Sequence, residues 1–244
     1  MMQFINSMES VSLIELDEVA LQNRIDHKYV LNKEQLEILI PTILTHYKVL
    51  KINGHNAFTY LNNYFDTKQL RFYFDHHNGF SKRIKVRSRK YLETDTSFFE
   101  IKQKENVDRT AKFRIPVDKI VKKIDSEKKE TIQSFLPREL KKIKLILKNN
   151  FTRITFVNHE KTERMTLDFD IQFSNKKKSK SFTNFYVLEI KQSKSNKRSI
   201  ITEILKKNNI REQSFSKYIF GIISLKKNIK KNNFLPVIKK INNL

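Results

Sequence analysis

Residues 83–89 read RIKVRSR, and they are the strongest indication of the fold. Successive side chains of a β-strand point to opposite faces, so a strand here places Arg83, Lys85, Arg87 and Arg89 together on one face. The opposite face is mostly apolar. A ladder of cations repels itself unless an anion lies along it. The stretch therefore predicts a strand that packs one face on a core and binds a polyanion with the other.

Three other stretches divide in the same way. Their ionic faces are Arg24, Asp26 and Lys28 in residues 24–29 (RIDHKY), Glu100, Lys102 and Lys104 in residues 99–104 (FEIKQK), and Glu189 and Lys191 in residues 188–191 (LEIK). A charged face turned to solvent would explain one such strand, whereas agreement among four strands favours a shared interior. Apolar faces that pack outward under helices leave the ionic faces lining a lumen. The prediction is an α+β fold: a closed antiparallel β-barrel with a cationic lumen and helices packed outside.

The other elements are predicted from periodicity and capping residues. The predicted strands are residues 24–30, 57–65, 81–91, 97–104, 112–117, 152–158, 164–173 and 185–192. The predicted helices are a lead-in helix capped by Ser10 or Ser12 and continuing to Leu21, a helix over Lys33–Leu39 that Asn32 caps and Pro41 interrupts or terminates, residues 121–150 with a break at Pro137, and residues 200–208. We expect one domain over residues 1–225, followed by a partly disordered basic tail, residues 226–244.

Composition narrows the class of partner. The formal charge is +23 and 39% of the 244 residues are hydrophobic, so the natural partner is anionic: nucleic acid, anionic lipid or a phosphorylated molecule. Only three glycines are present and no GxxxxGK[ST] motif occurs, which excludes a P-loop or Rossmann nucleotide site. The absence of cysteine excludes thiol catalysis and Cys-type zinc sites, and it fits the cytoplasm. The longest apolar run, residues 218–225, is too short to span a bilayer, so a soluble protein is expected.

Carboxylates inside a cationic lumen predict a divalent metal. Mg²⁺ and Mn²⁺ bind carboxylate oxygens and bridge phosphate oxygens in phosphoryl transfer. Glu189 is the first candidate ligand, and Glu100 and Asp168 follow it. Ion pairing with lysine or arginine of the lumen is the alternative role for Glu100 and Asp168.

Six short motifs occur in one order along the chain. They are RIDHKY at 24–29, YFDT at 64–67, KVRSR at 85–89, EIK at 100–102, LEIK at 188–191 and SKY at 216–218. With them the chain resembles the VTC-type polyphosphate polymerase domain, a member of the triphosphate tunnel metalloenzyme superfamily, over about residues 11–225. The resemblance implies an antiparallel tunnel, Mn²⁺ or Mg²⁺ as cofactor, and growth of polyphosphate from ATP with release of ADP.

The resemblance also implies roles for individual residues. Those expected to be catalytic are Arg87, Arg89, Lys102, Arg153 and Lys217, and Glu189 would hold the metal. Phosphate binding is expected of Lys28 and Lys191, of the further ionic-face residues Arg24, Lys85 and Lys104, and of Lys112 or Arg114. One departure from the family pattern is Phe151, which stands where family polymerases can place a tyrosine.

Two other functions fit the same features. A triphosphatase or polyphosphatase of the same fold would use water as nucleophile, with Glu100 or Asp168 to orient it. A non-catalytic binder of polyphosphate or nucleic acid is the other alternative, although only Tyr29 and Tyr91 lie near the cations as stacking partners for bases. The expected partners are therefore ATP and polyphosphate. The basic tail, with its apolar residues 234–238, either contacts a membrane surface or packs on the barrel.

Overall fold

The computed structural model describes residues 2–18, 24–105, 110–136, 142–193 and 199–244. Two predictions fall outside these ranges: the continuation of the lead-in helix to Leu21 and the helix break at Pro137. The side chain of Arg24 also lies outside the described part, although its backbone begins a strand.

Eleven strands form one sheet among the described residues. They are β1 Ser10–Val11, β2 Arg24–Leu31, β3 Tyr47–Leu50, β4 Ala57–Thr67, β5 Arg83–Tyr91, β6 Thr96–Lys104, β7 Thr110–Pro116, β8 Ile143–Asn158, β9 Glu163–Ser174, β10 Ser179–Phe182 and β11 Tyr186–Ser193. The main path runs β2-β11-β9-β8-β4-β5-β6-β7, and all its neighbours are antiparallel. The predicted antiparallel sheet is confirmed.

The predicted closure of the sheet into a barrel is wrong. Within the described chain, β2 and β7 end the path and do not pair with each other. A non-strand segment lies beside β2 instead: the Gln213 N–H donates to the Lys28 carbonyl at 2.7 Å, and His27 Nδ1 lies 2.9 Å from Glu212 Oε2. Because this segment uses a backbone acceptor of the edge strand, the edge is covered without ladder pairing.

Seven helices are described in the same ranges. They are α1 Leu13–Glu18, α2 Lys33–His46, α3 Arg71–His77, α4 Ser126–Ser134, α5 Ile200–Lys207, α6 Lys217–Leu225 and α7 Leu235–Asn242, with 3-10 turns at Met2–Ser7 and Asn232–Phe234. Helices α2 and α5 pack on apolar side chains of β2, β8, β9 and β11, and α4 packs on those of β5 and β6. Among the described residues, no helix is long and apolar enough to cross a membrane.

Two helix predictions need correction. Helix α2 does not stop near Pro41 but continues to His46, because Leu39 and Ile43, on either side of the proline, are fully buried and hold it. Burying two such side chains offsets the loss of about 3 kcal/mol that an internal proline costs. In the described part of the predicted helical stretch 121–150, α4 is the only α-helix; from Ile143 onward the chain is strand β8, which pairs with both β4 and β9.

Capping predictions hold at both helices. Asn32 and Gln35 form a reciprocal capping box at the start of α2. At α1, Ser12 and not Ser10 is the cap, because Ser12 Oγ accepts the Glu15 N–H at 3.3 Å and Glu15 Oε2 accepts the Ser12 N–H at 2.8 Å. Ser10 belongs to the two-residue strand β1.

Helix α6 packs on apolar side chains of β8, β9 and β10. Leu147 and Phe173 of the sheet touch it so closely that a Cβ at Gly221 would lie 2.6 Å and 2.5 Å from their side-chain carbons. The C-terminal segment, residues 226–244, then packs on α3 and α6 through Phe234, Val237 and Ile241 rather than forming a disordered tail. The N-terminus of α6 is thereby held next to the charged strands.

Candidate functional site

The strand register places the predicted cations on one face of the sheet. Directly opposed residues of an antiparallel pair point to the same side, and the opposed pairs include Lys28 with Glu189, Arg87 with Glu100, and Arg153 with Asp168. We call the following set the inner face: Lys28, Lys85, Arg87, Arg89, Glu100, Lys102, Arg153, Asp168, Glu189, Lys191 and, from α6, Lys217.

The sheet curls so that β2 comes close to β5. Five strand spacings of about 4.8 Å would separate Lys28 on β2 from Lys85 on β5 by roughly 24 Å in a flat sheet. In the folded chain, burial first and then the charges of Lys28, Arg83 and Arg87 lower the pKa of Lys85 to about 7. The short segment 213–216 touches both strands, since the Gln213 N–H donates to the Lys28 carbonyl on β2 and Ser216 accepts from Lys85 on β5. The inner face is therefore a concave surface, although its rim is not closed by hydrogen bonds among the described strands.

Asp168 joins the strands to α6. Its two oxygens accept hydrogen bonds from Arg153 Nε at 2.5 Å and from Arg153 NH2 at 2.7 Å, and Lys217 Nζ donates to it as well. Burial alone would raise the pKa of this carboxyl, but Arg153 and Lys217 hold it below its usual range. Asp168 thus has the ion-pairing role that was the alternative to metal binding.

Glu100 holds the arginines of β5 and β7. Its Oε2 lies 2.5 Å from Arg87 Nε, and its Oε1 lies 3.7 Å from Arg114 Nε. Burial opposes ionisation here too, yet Arg87 and Arg89 lower the pKa of Glu100 to about 2. This carboxylate stays ionised and engaged at any ordinary pH.

Glu189, the first predicted metal ligand, is also held by lysines. Lys191 Nζ and Lys28 Nζ both approach Oε1, at 2.9 Å and 3.4 Å. Burial would raise the pKa of Glu189, but Lys191, Lys28 and Arg153 hold it well below its usual range. Among the described residues no three Asp, Glu, His or Cys side chains converge, so this part of the chain offers at most two such ligands at one place. Mg²⁺ is often bound in that way, by one or two carboxylates with substrate phosphates and water completing the shell.

Lys102 is a partly buried lysine beside Arg87 and Arg89. It makes no hydrogen bond or ion pair within the described part of the chain, and Arg87, then burial, then Arg89 lower its pKa to about 6. Arg89 instead donates from Nε to Asn62 Oδ1 at 2.8 Å. A free concave face with such unfavourable charge proximity is suited to an anion, because a bound anion relieves the repulsion.

Four predicted phosphate ligands lie toward the limits of the same face. Lys112 is opposite Lys102, Arg114 is opposite Glu100, Lys104 is opposite Arg83, and the backbone of Arg24 is opposite Ser193. Arg114 is half-exposed and lies over the Phe98 ring at 3.6 Å. Lys104, Lys112 and Arg114 extend the cationic surface outward from its centre.

Sequence reasoning missed the aromatic and polar lining. Tyr60 stacks on Phe151 with ring centroids 5.0 Å apart, and Arg89 and Arg153 lie over the Tyr60 ring at 4.7 Å and 5.1 Å. Period two on the predicted strand 57–65 already grouped Tyr60 with Asn62, so the signal was present. Ser216, which accepts a hydrogen bond from Lys85, was visible only as part of the SKY motif.

Comparison with known proteins finds one family. The family described as VTC domain matches residues 23–226. Comparison with curated protein sequences finds no match. Similar solved structures include a proposed adenylyl cyclase from Hippeastrum with a dominant triphosphatase activity, at 13% identity over 82% of this chain and 96% of that one, with a TM-score of 0.49. A proposed adenylate cyclase from Vibrio parahaemolyticus has 14% identity, coverage of 82% and 98%, and a TM-score of 0.47. A protein from Pyrococcus horikoshii has 14% identity, coverage of 82% and 99%, and a TM-score of 0.46.

The family match spans all the strands of the main sheet path and ends just after α6, so it includes every residue of the inner face. It leaves out β1, α1 and the C-terminal segment. The chain belongs to the VTC domain family.

Proposed function

We propose that this chain is a polyphosphate polymerase that transfers the γ-phosphate of ATP to the end of a polyphosphate chain and releases ADP. One observation carries the proposal: the inner face has eight basic side chains and three carboxylates, and those carboxylates are already held by cations. The excess charge matches a chain of phosphates, which carries about one negative charge per phosphorus. Membership of the VTC domain family supports the same class of substrate.

The mechanism needs positioning and charge neutralisation. The terminal phosphate of a growing chain is already ionised, so it attacks the γ-phosphorus in line without a general base. Arg87 and Arg89 offer planar guanidinium groups to phosphate oxygens. A bound phosphate would raise the lowered pKa of Lys102 and so return this lysine to its charged form on the inner face. These fixed cations stabilise the charge that shifts to ADP as it leaves.

A hydrolase of the same fold is less well supported. Activation of water requires a carboxylate that can accept a proton. Glu100 is bound to Arg87 with a pKa of about 2, and both oxygens of Asp168 are engaged by Arg153 and Lys217. Neither is free to orient or deprotonate water, which favours a phosphate nucleophile.

Glu189 is the proposed metal ligand, for Mn²⁺ or Mg²⁺. A divalent ion held there would add positive charge against the phosphate oxygens. Lys28 and Lys191 keep the side chain ionised, and a metal ion would take their place as its partner.

The test is incubation of the purified protein with ATP and Mn²⁺ or Mg²⁺, following ADP, free phosphate and long-chain polyphosphate. We expect ADP and polymer to appear together, and Glu189→Gln to abolish both. The matched control is Glu203→Gln, the same chemical change at an exposed position on α5.

Other outcomes identify the alternatives. ADP with free phosphate and no polymer identifies a hydrolase. Tight polyphosphate binding without turnover, unchanged by either metal, identifies a binding protein. Full polymer formation by Glu189→Gln contradicts the assignment of the metal ligand.

A further inference from the structure

Ser216 occupies the N-cap position of α6 without capping the helix. A serine at this position ordinarily accepts a backbone N–H of the first turn. Here its side chain makes no such bond to a described group, and its Oγ lies 3.1 Å from Lys85 Nζ. The hydroxyl is thus turned from the helix toward the inner face.

Lys85 has the properties of a base for this hydroxyl. It reaches Ser216 from β5, on the opposite side of the concave surface from β2. Burial and the neighbouring cations lower its pKa to about 7, so a large share of the amine is neutral at neutral pH. A neutral amine accepts a proton across the same distance at which the charged form donates one. Serine with lysine as its base is a known arrangement for an activated nucleophile.

The surroundings of Ser216 suit a phosphoryl group. Lys217 follows it directly, and the first turn of the nine-residue helix α6 directs its N-terminus to the same place. Tyr218 donates to the buried Asp66, which also accepts N–H groups at the start of α3, so the position of this turn is fixed. Helix N-termini and fixed cations stabilise phosphate oxygens.

We propose that Ser216 is a phosphoryl acceptor, and that its phosphoserine supplies the first phosphate on which a chain grows. Lys85 takes the proton of the hydroxyl, Oγ bonds to the γ-phosphorus of ATP, and the bond from that phosphorus to the bridging oxygen breaks. ADP leaves with the bridging oxygen, and the proton passes from Lys85 to solvent. The next transfer joins a γ-phosphate to the phosphoserine. This inference rests on the proposed polymerase function, because it takes ATP as the phosphoryl donor.

The first test follows covalent phosphate on the full chain, freed of co-purified polyphosphate and incubated with ATP and Mn²⁺. Peptide mass spectrometry should find phosphate on Ser216 in the wild type and in Ser214→Ala, the exposed neighbouring control. Ser216→Ala should lose it. Lys85→Arg keeps the positive charge but cannot act as a base. Phosphoserine should therefore form in this variant at roughly one hundredth of the wild-type rate, or at a lower rate. An unmodified Ser216 during turnover, or a wild-type rate in Lys85→Arg, overturns the proposal.

The second test separates priming from a structural role. With ATP alone, the wild type should start chains while Ser216→Ala should not, and added tripolyphosphate should restore chain growth in that variant. A variant that starts chains from ATP alone as fast as the wild type overturns the proposal. Polymer with an unmodified Ser216 leaves the polymerase standing and removes the primer. Phosphoserine without polymer leaves Ser216 as a phosphoryl acceptor and removes the polymerase.

Discussion

Asp168 shows how single residues hold the inner face together. Replacing it by asparagine leaves Arg153 and Lys217 as buried cations without a full counter-charge. Breaking a buried ion pair from one side costs about 3–5 kcal/mol of stability. We expect Asp168→Asn to lower the free energy of unfolding in urea by that amount.

Tripolyphosphate should return part of the stability of Asp168→Asn, because it supplies the missing negative charge. Asp170→Asn is the matched control, since Asp170 is exposed and its φ of 50° suits asparagine equally well. An equal loss of stability in both variants would contradict the role given to Asp168.

The lowered pKa of Lys85 predicts how the free energy of unfolding depends on pH. Its pKa in the folded chain is about 7, whereas an unfolded lysine has a pKa of about 10.4. Between these values the unfolded chain binds a proton that the folded chain does not, so the free energy of unfolding rises as pH rises through this window. Below about pH 7 the two states bind the proton alike and the penalty stays constant.

Lys85→Met removes this titration, so its free energy of unfolding should rise less steeply than that of the wild type between about pH 7 and pH 9. Urea unfolding of both proteins at several pH values gives the two slopes. Parallel slopes would mean that Lys85 titrates normally in the folded chain.

At the residue scale, alternation along the strands was enough to predict which side chains share a face of the sheet. Lys28, Arg87 and Glu189 were placed on ionic faces by period two, and the structure brings them onto one surface. Arg153 and Lys217 were expected only through the family resemblance, because each lies among residues with no ionic alternation. The ion-pair partner of each charged residue depends on which strands are neighbours in the sheet. The ion pair between Arg153 and Asp168 therefore could not be predicted from either segment alone.

Among the elements, α6 is the one whose position most affects the site. Alanine at Gly221 would normally favour a helix by about 1 kcal/mol. Here the added Cβ would lie 2.5 Å from a carbon of Phe173, so the helix or the strand must move. We expect Gly221→Ala to lose about 1–3 kcal/mol of stability and to weaken tripolyphosphate binding, because Lys217 moves with the helix.

Urea unfolding and calorimetric titration with tripolyphosphate measure the two effects of Gly221→Ala. Ser224→Ala, on the same helix, is the control and should leave binding unchanged. A stabilised Gly221→Ala protein with normal binding would show that α6 is not tightly fitted to the sheet.

The element predictions failed where tertiary contacts overrode local preference. Residues 143–149 were predicted to be helical, but they belong to strand β8, which pairs with a strand on each side. The predicted interruption at Pro41 is wrong, because burial of Leu39 and Ile43 holds the helix together on both sides of the proline. Local signals that involve no distant partner, such as the capping box of Asn32, were read correctly.

At the scale of the whole molecule, the C-terminal segment ties separate elements together. The Phe234 ring lies 6.2 Å from Tyr73 and 5.5 Å from His77 on α3, and it belongs to the same apolar cluster as α6. Phe234→Ala should therefore cost about 3–5 kcal/mol. The adjacent Leu235→Ala should cost much less, because Leu235 is 39% exposed.

Thermal unfolding of the two variants compares them directly. Equal melting temperatures would show that the segment beyond residue 226 contributes little to the fold. A low melting temperature for Phe234→Ala alone would show that residues outside the family match stabilise the site-bearing helix.

The apolar packing of α6 on the sheet has a kinetic consequence. A polyanion cannot cross a packed layer of phenylalanine, leucine and tyrosine side chains, so a lengthening chain cannot leave between α6 and the strands beneath it. In the proposed polymerase, product that stays on the inner face would occupy the basic side chains that ATP needs. Finished polymer would then act as a competitive inhibitor of its own synthesis, and the rate per molecule would fall as long chains accumulate.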